Sequence, residues 1–177
     1  MKKTILFFVL FFTFGGVGVF AAEKMDNLII YGDNFMVSAK EPSGWKGDSK
    51  NASAYHVNLV FYRNNETIQN AKTVIRILIA DKTDENTIED LKYDMENYRK
   101  QYPKVQFKDI SVKHPEYKTF SKLLYVADSF YEYVTYLNPG TKHRYNISVS
   151  MNLQKTEATK EDMQAYSSII ESIAALK

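Results

Sequence analysis

Hydrophobic positions recur with a two-residue period over much of the chain. Residues 55–62 alternate Val57, Leu59 and Phe61 with His56 and Asn58, as a half-buried strand requires. The stretch "TVIRILIA", residues 73–80, is almost continuously apolar. Such a run predicts a central strand covered on both faces. In "RYNISVSMNL", residues 144–153, Tyr145, Ile147, Val149, Met151 and Leu153 point one way, and Arg144, Asn146, Ser148, Ser150 and Asn152 the other. Shorter strands are predicted at 28–31, 35–39, 105–113, 117–127 and 130–137.

Two segments switch to the helical period. Ile88, Leu91, Met95, Tyr98 and Tyr102 are spaced by three and four, which predicts an amphipathic helix begun by a Thr87–Asp90 capping arrangement and stopped by Pro103. Near the C-terminal end, Met163, Tyr166, Ile169, Ile170, Ile173 and Leu176 form a second stripe, with Thr159 and Asp162 placed to cap it. The order is strands, helix, strands, helix, with hairpin-length connections such as "NPGT" at 138–141. It predicts an α+β single domain, a mostly antiparallel β-sheet packed by two main helices.

The first residues do not belong to that pattern. Lys2 and Lys3 precede the apolar run "TILFFVLFFTF", and Val19 and Ala21 occupy the small-residue positions of a Sec signal peptide, so cleavage is expected after Ala21. Residues 22–177 would then form the domain, periplasmic or secreted. An uncleaved anchor is the alternative, since residues 5–22 make a run of 18, near the lower limit for a bilayer helix.

Removing the leader changes the charge. Of 23 Lys plus Arg, two lie in it and none of the 21 Asp plus Glu do, so the mature chain is neutral. A basic domain that releases counterions from phosphates is therefore not what this chain presents, and no nucleic-acid partner is expected. There is no cysteine, which excludes disulfides, a thiolate nucleophile and a lipid-bearing lipobox. No stable membrane anchor is expected after cleavage. All 13 tyrosines lie in the mature part, where rings pack and hydroxyls stay in contact with water.

Candidate chemistry is sparse. His56, His114 and His143 are scattered without a second ligand at helix or strand spacing, and no metal is expected. The serines of "SVSMN" and "YSSII" lack a nucleophile elbow, so no catalytic residue is assigned. The paired acids Glu89–Asp90 and Glu161–Asp162 match the positive end of a helix dipole. No cofactor is expected, because no glycine-rich phosphate loop is present. Net charge is minus five over residues 81–96 and plus five over 97–122: either a dipolar surface for a charged partner or a solvated helix followed by an exposed strand.

Five residues are candidates for binding. Arg76 interrupts "TVIRILIA" and needs either a structural carboxylate partner or a bound anion. Tyr131 and Tyr133 share one face of their strand, and Tyr136 lies on the other with Glu132 and Val134. That ribbon is either an aromatic groove for a glycan or peptide, or a sheet packed beneath helices. Trp45, the only tryptophan, sits in "EPSGWKGD", which is expected to be a loop whose indole closes one end of the sheet or meets a ligand.

A first strand pair, then "PSGW", a strand pair, a helix, an antiparallel run and the final "YSSIIESI" helix together resemble a known sandwich group. It is shared by the PsbP proteins of photosystem II, the Ran-binding Mog proteins and the bacterial DcrB-like envelope proteins. The resemblance implies an α/β/α sandwich around an antiparallel sheet, and a binding or assembly role without catalysis. It leads to the expectation of an exported accessory protein whose partner is an envelope protein or an anionic surface. A periplasmic small-molecule or glycan carrier, or a hydrolase with a site gathered from distant residues, is the alternative.

Overall fold

The computed structural model describes residues 27–82 and 87–176. The signal peptide expected over residues 1–21 lies outside the described residues. The described residues form ten strands and two α-helices, β1 (Asn27–Gly32), β2 (Phe35–Lys40), β3 (Trp45–Asp48), β4 (Leu59–Arg63), β5 (Thr73–Asp81), α1 (Thr87–Gln101), β6 (Gln106–Asp109), β7 (Lys118–Val126), β8 (Phe130–Asn138), β9 (Tyr145–Gln154), α2 (Lys160–Ser172) and β10 (Ala174–Ala175). The main sheet runs β3-β4-β5-β9-β8-β7-β6, and β1, β2 and β10 form a smaller one. Every strand pair is antiparallel. The α+β class and the two-helix sandwich read from the sequence are the observed architecture.

The two-residue period sorts side chains to two helical layers. Phe61, Ile75, Ile77, Ile147, Val149 and Met151 face α2, where Ala165, Tyr166, Ile169 and Ile170 complete the larger core. Tyr166 is fully buried; its hydroxyl donates to the Val149 carbonyl at 2.9 Å and lies 3.0 Å from Thr135 Oγ1. A buried phenol needs such partners, because desolvation without one is costly. On the opposite face Leu91 and Met95 of α1 pack with Leu124, Val134 and Tyr136. A third cluster, Ala52, Val60, Tyr62 and Ile68, covers the β4 end of that face.

Helix α2 begins with the capping box expected: Asp162 N donates to Thr159 Oγ1 at 3.1 Å, and Thr159 N donates to Asp162 Oδ2 at 3.1 Å. It stops earlier than its apolar stripe. Ile173 is already extended, Ala174 and Ala175 pair with Ser38 and Val37, and Leu176 N donates to the Met36 carbonyl at 2.7 Å. The backbone groups that a longer helix would have satisfied internally are taken up by β2 instead.

Three sequence expectations change. Residues 55–58 are not strand: a short 3-10 turn occupies Ala52–Tyr55, and His56 follows it in the left-handed region, φ 55°. Strand β6 is four residues, shorter than the 105–113 run predicted. Finally, "EPSGWKGD" is a turn and a strand rather than a loop. Trp45 N donates to the Pro42 carbonyl at 3.0 Å, and Gly44 takes φ 82°, the conformation that residue three of a type II turn demands. The turn delivers Trp45 as the first residue of β3, paired with Arg63.

Candidate functional site

Helix α1 meets the sheet through a polar seam. Thr87, Asp90, Asp94 and Tyr98 recur at helical spacing, and each finds a partner on the α1 face of β8 or β9. Thr87 Oγ1 donates to Asn146 Oδ1 at 2.6 Å, while the Asn146 amide donates to Asp90 Oδ2. Tyr136 donates its hydroxyl to Asp94, and Tyr98 donates to Glu132 Oε2 at 2.6 Å. Thr87 and Asp90, expected to cap the helix, are thus engaged with the sheet.

Three carboxylates gather along this seam, and burial acts on two of them. Desolvation, reinforced by the charges of Asp90 and Glu132, pushes Asp94 up to about 6. Glu132 is 7% exposed, and burial pushes its carboxyl up against the opposing effects of the Tyr98 hydrogen bond, the Arg76 charge and the Asn152 amide. Burial and the Glu132 charge likewise push the Tyr98 phenol up. Tyr98 therefore remains a proton donor through the physiological range.

Beyond the C-terminal half of α1 the seam opens into a recess of about 420 Å³, lined by Arg76, Tyr98, Tyr102, Phe130, Glu132 and Asn152 among others. Sheet register explains why Arg76 and Glu132 share it. Arg76 pairs with Ser150 of β9, Glu132 pairs with Asn152, two residues further along the same face, and both project to the α1 face. Arg76 is half-buried, and its Nε is sealed from solvent without a hydrogen-bond partner. The guanidinium lies 5.9 Å from the Tyr55 ring. It senses the Glu132 charge, yet among the described residues no carboxylate lies within ion-pair distance of it. Of the two readings open for this residue, the structural ion pair is not the arrangement found.

The other four candidates go elsewhere. Trp45 is 4% exposed, with Arg63 stacked 5.1 Å over its ring, and Arg63 in turn pairs with Asp162 at 3.0 Å. It closes the sheet beside the start of α2. Tyr133 is buried on the α2 face, edge-on to Tyr166 at 6.4 Å. Tyr131 stacks on Tyr125 at 5.7 Å. Tyr136 is on the α1 face but serves Asp94, one helical turn before Tyr98, and lines a different recess with Asp90 and Asn146. The strand 131–136 is therefore a packed sheet, and its rings do not line one groove.

Glu132, Tyr98 and Asn152 complete the recess, although the sequence placed them only as strand or helix-stripe positions. A signal was present for Glu132. It is the lone charge in "FYEYVTYL", as Arg76 is in "TVIRILIA". Histidine chemistry does not assemble here: His114 accepts from the backbone N–H of Glu116 and Tyr117 at Nδ1, and its Nε2 lies 2.8 Å from the Ile173 carbonyl. The charge blocks divide in the same way. Asp90 and Asp94 turn inward, Glu89 pairs with Lys92 at 2.7 Å, and Lys122 pairs with Asp109 at 2.6 Å.

No protein-family model and no curated protein matches the sequence. Solved structures do match. LpqN of Mycobacterium tuberculosis, involved in cell envelope biogenesis, aligns at TM-score 0.60 and 12% identity over 85% of this chain and 91% of LpqN. The cyanobacterial PsbP of Synechocystis aligns at TM-score 0.52 and 14% identity over 92% of this chain and all of its own. A mutant of Mog1 aligns at TM-score 0.47 and 13% identity, covering 85% of this chain and 96% of Mog1. The first two establish that the chain has the PsbP-like α/β/α sandwich, the fold that its sequence resembles.

Proposed function

We propose that this chain is an exported, non-enzymatic binding or assembly protein of the bacterial cell envelope, and that the α1 face with the Arg76 recess is its working surface. The observation that carries the reading is the Arg76 guanidinium, half-buried and without a carboxylate partner among the described residues, opening on a cavity whose other charge is the buried Glu132. Buried charges are normally paired, so a cation left open at a recess is a place for a partner's group. The leader pattern supports export, and the fold shared with an envelope-biogenesis protein supports the compartment.

A small-molecule carrier is the second reading, favoured by a recess within the size range of ligand pockets. Its walls are too polar for a lipophilic cargo. A serine–histidine hydrolase would need a histidine oriented toward serine or carboxylate, and His114 is engaged with backbone groups instead.

Affinity capture of the mature protein from envelope extract tests the proposal. The wild type should recover a specific envelope protein, and Arg76→Ala should lose it while keeping its far-UV spectrum. Recovery of no specific protein, together with a metabolite that raises the melting temperature, would replace the assembly role with the carrier.

A further inference from the structure

The recess holds two opposite charges that do not touch. Arg76 and Glu132 stand on strands separated by β9 and are offset by two residues, which by ordinary sheet spacings puts their Cα positions about 12 Å apart. Both side chains project to the same face, yet their charged heads are not within ion-pair distance of each other, although the Arg76 charge acts on Glu132. Phosphate or sulfate at Arg76 would face the Glu132 carboxylate, and a simple cation at Glu132 would face the guanidinium. Either alone is opposed by the second group.

A ligand with both charges close together is opposed by neither. We propose that the recess binds a compact zwitterion, an α-amino acid or dipeptide, with its carboxylate on Arg76 and its ammonium toward Glu132 and Asn152. Arg76 offers the planar fork that suits a carboxylate. Glu132 is fixed in place by Tyr98, so its position does not depend on the ligand. An ammonium beside it also favours the ionised form, against the burial that disfavours it. The side chain of the ligand meets Tyr102 and Phe130, whose ring centroids lie 4.9 Å apart at the recess wall. That wall selects an aromatic or branched aliphatic amino acid over glycine.

The inference rests on the recess being the binding surface, and the experiment separates the two. Titration calorimetry and thermal shift on the mature chain would use L-phenylalanine, L-leucine, leucyl-phenylalanine and glycine, with the N-acetyl and amide derivatives of phenylalanine. Phenylalanine, leucine or the dipeptide should bind, and masking either charge should weaken binding at least about tenfold. Arg76→Gln and Glu132→Gln should each do the same without lowering the unliganded melting temperature by more than a few degrees.

The derivative series uses the wild type and keeps the test valid if a variant folds poorly. Absence of binding by every amino acid and dipeptide, or equal binding of the N-acetyl and amide forms, overturns the proposal. If an envelope protein is nevertheless captured in an Arg76-dependent way, the binding surface stands and only the zwitterion is wrong.

Discussion

The Tyr98 hydroxyl donates to Glu132 Oε2 at 2.6 Å and thereby ties the C-terminal half of α1 to the first half of β8. A phenol and a buried carboxylate in this arrangement depend on each other, since each would be left unsatisfied by loss of its partner. Tyr98→Phe should therefore destabilise the domain by about 1–3 kcal/mol in urea unfolding. In combination with Glu132→Gln the two effects should fall short of their sum by roughly 0.5 kcal/mol or more, the mark of direct coupling. Strict additivity would mean that the pair does not hold the helix.

Asp94 gives the seam a pH dependence. Its carboxyl is pushed up to about 6 from 3.8, first by burial and then by the charges of Asp90 and Glu132. The folded state holds that proton more tightly than the unfolded chain between the two values. Its contribution to stability is present at low pH and is lost as pH rises through 6. Asp94→Asn should flatten the dependence in that window and be at least as stable as wild type at neutral pH. Melting temperatures of both proteins across the window check this.

Trp45→Ala should cost about 3 kcal/mol, because it empties a position 4% exposed beneath Arg63. As the only tryptophan, Trp45 also reports on the event directly. Its emission should be blue-shifted in the folded protein and move to longer wavelength in one step with urea unfolding. A water-like emission in the native state would place the indole at the surface and return it to the binding candidates.

His114→Ala should loosen the junction between α2 and the small sheet. The ring collects two backbone N–H groups at Nδ1 and approaches the Ile173 carbonyl with Nε2, and neighbouring Tyr117 accepts from Ala175 N at 2.7 Å. Loss of those contacts should cost about 2 kcal/mol. Hydrogen exchange should accelerate first at Ala175 and Leu176, ahead of the β5–β9 amides. Uniform acceleration would show that the ring supports the whole core rather than that junction.

Most of the sheet was legible because its signal is local. In β9 each inward residue is apolar and each outward one polar, so facing and boundaries follow from the sequence alone. The α2 capping box is equally local, its two members three residues apart. The recess was legible only by half. Arg76 declares itself as a charge in an apolar strand, but its neighbour Glu132 is brought to it by the β5–β9–β8 register, which no short window contains. Trp45 was readable as a plug, whereas its strand was not, because β3 is four residues long and owes its pairing to β4. Residues 55–58 failed for the opposite reason. Their alternation fits a strand, yet tertiary packing of Ala52 beneath Tyr62 and Ile68 favours a tight turn.

The pairing of β10 with β2 also bears on when this chain can fold. Synthesis proceeds from β1 toward β10, so β2 emerges long before Ala174, Ala175 and Leu176 exist to complete its sheet. Central β5 can pair with β4 as it is made, Val60 opposite Arg76, but its other edge waits for β9, where Arg76 lies opposite Ser150. Neither layer can close from the sequence that precedes it. Such non-local pairing slows assembly and leaves apolar strands open in the interval. The larger core is completed only when Ala165, Tyr166, Ile169, Ile170 and Ile173 dock on strands made well before them.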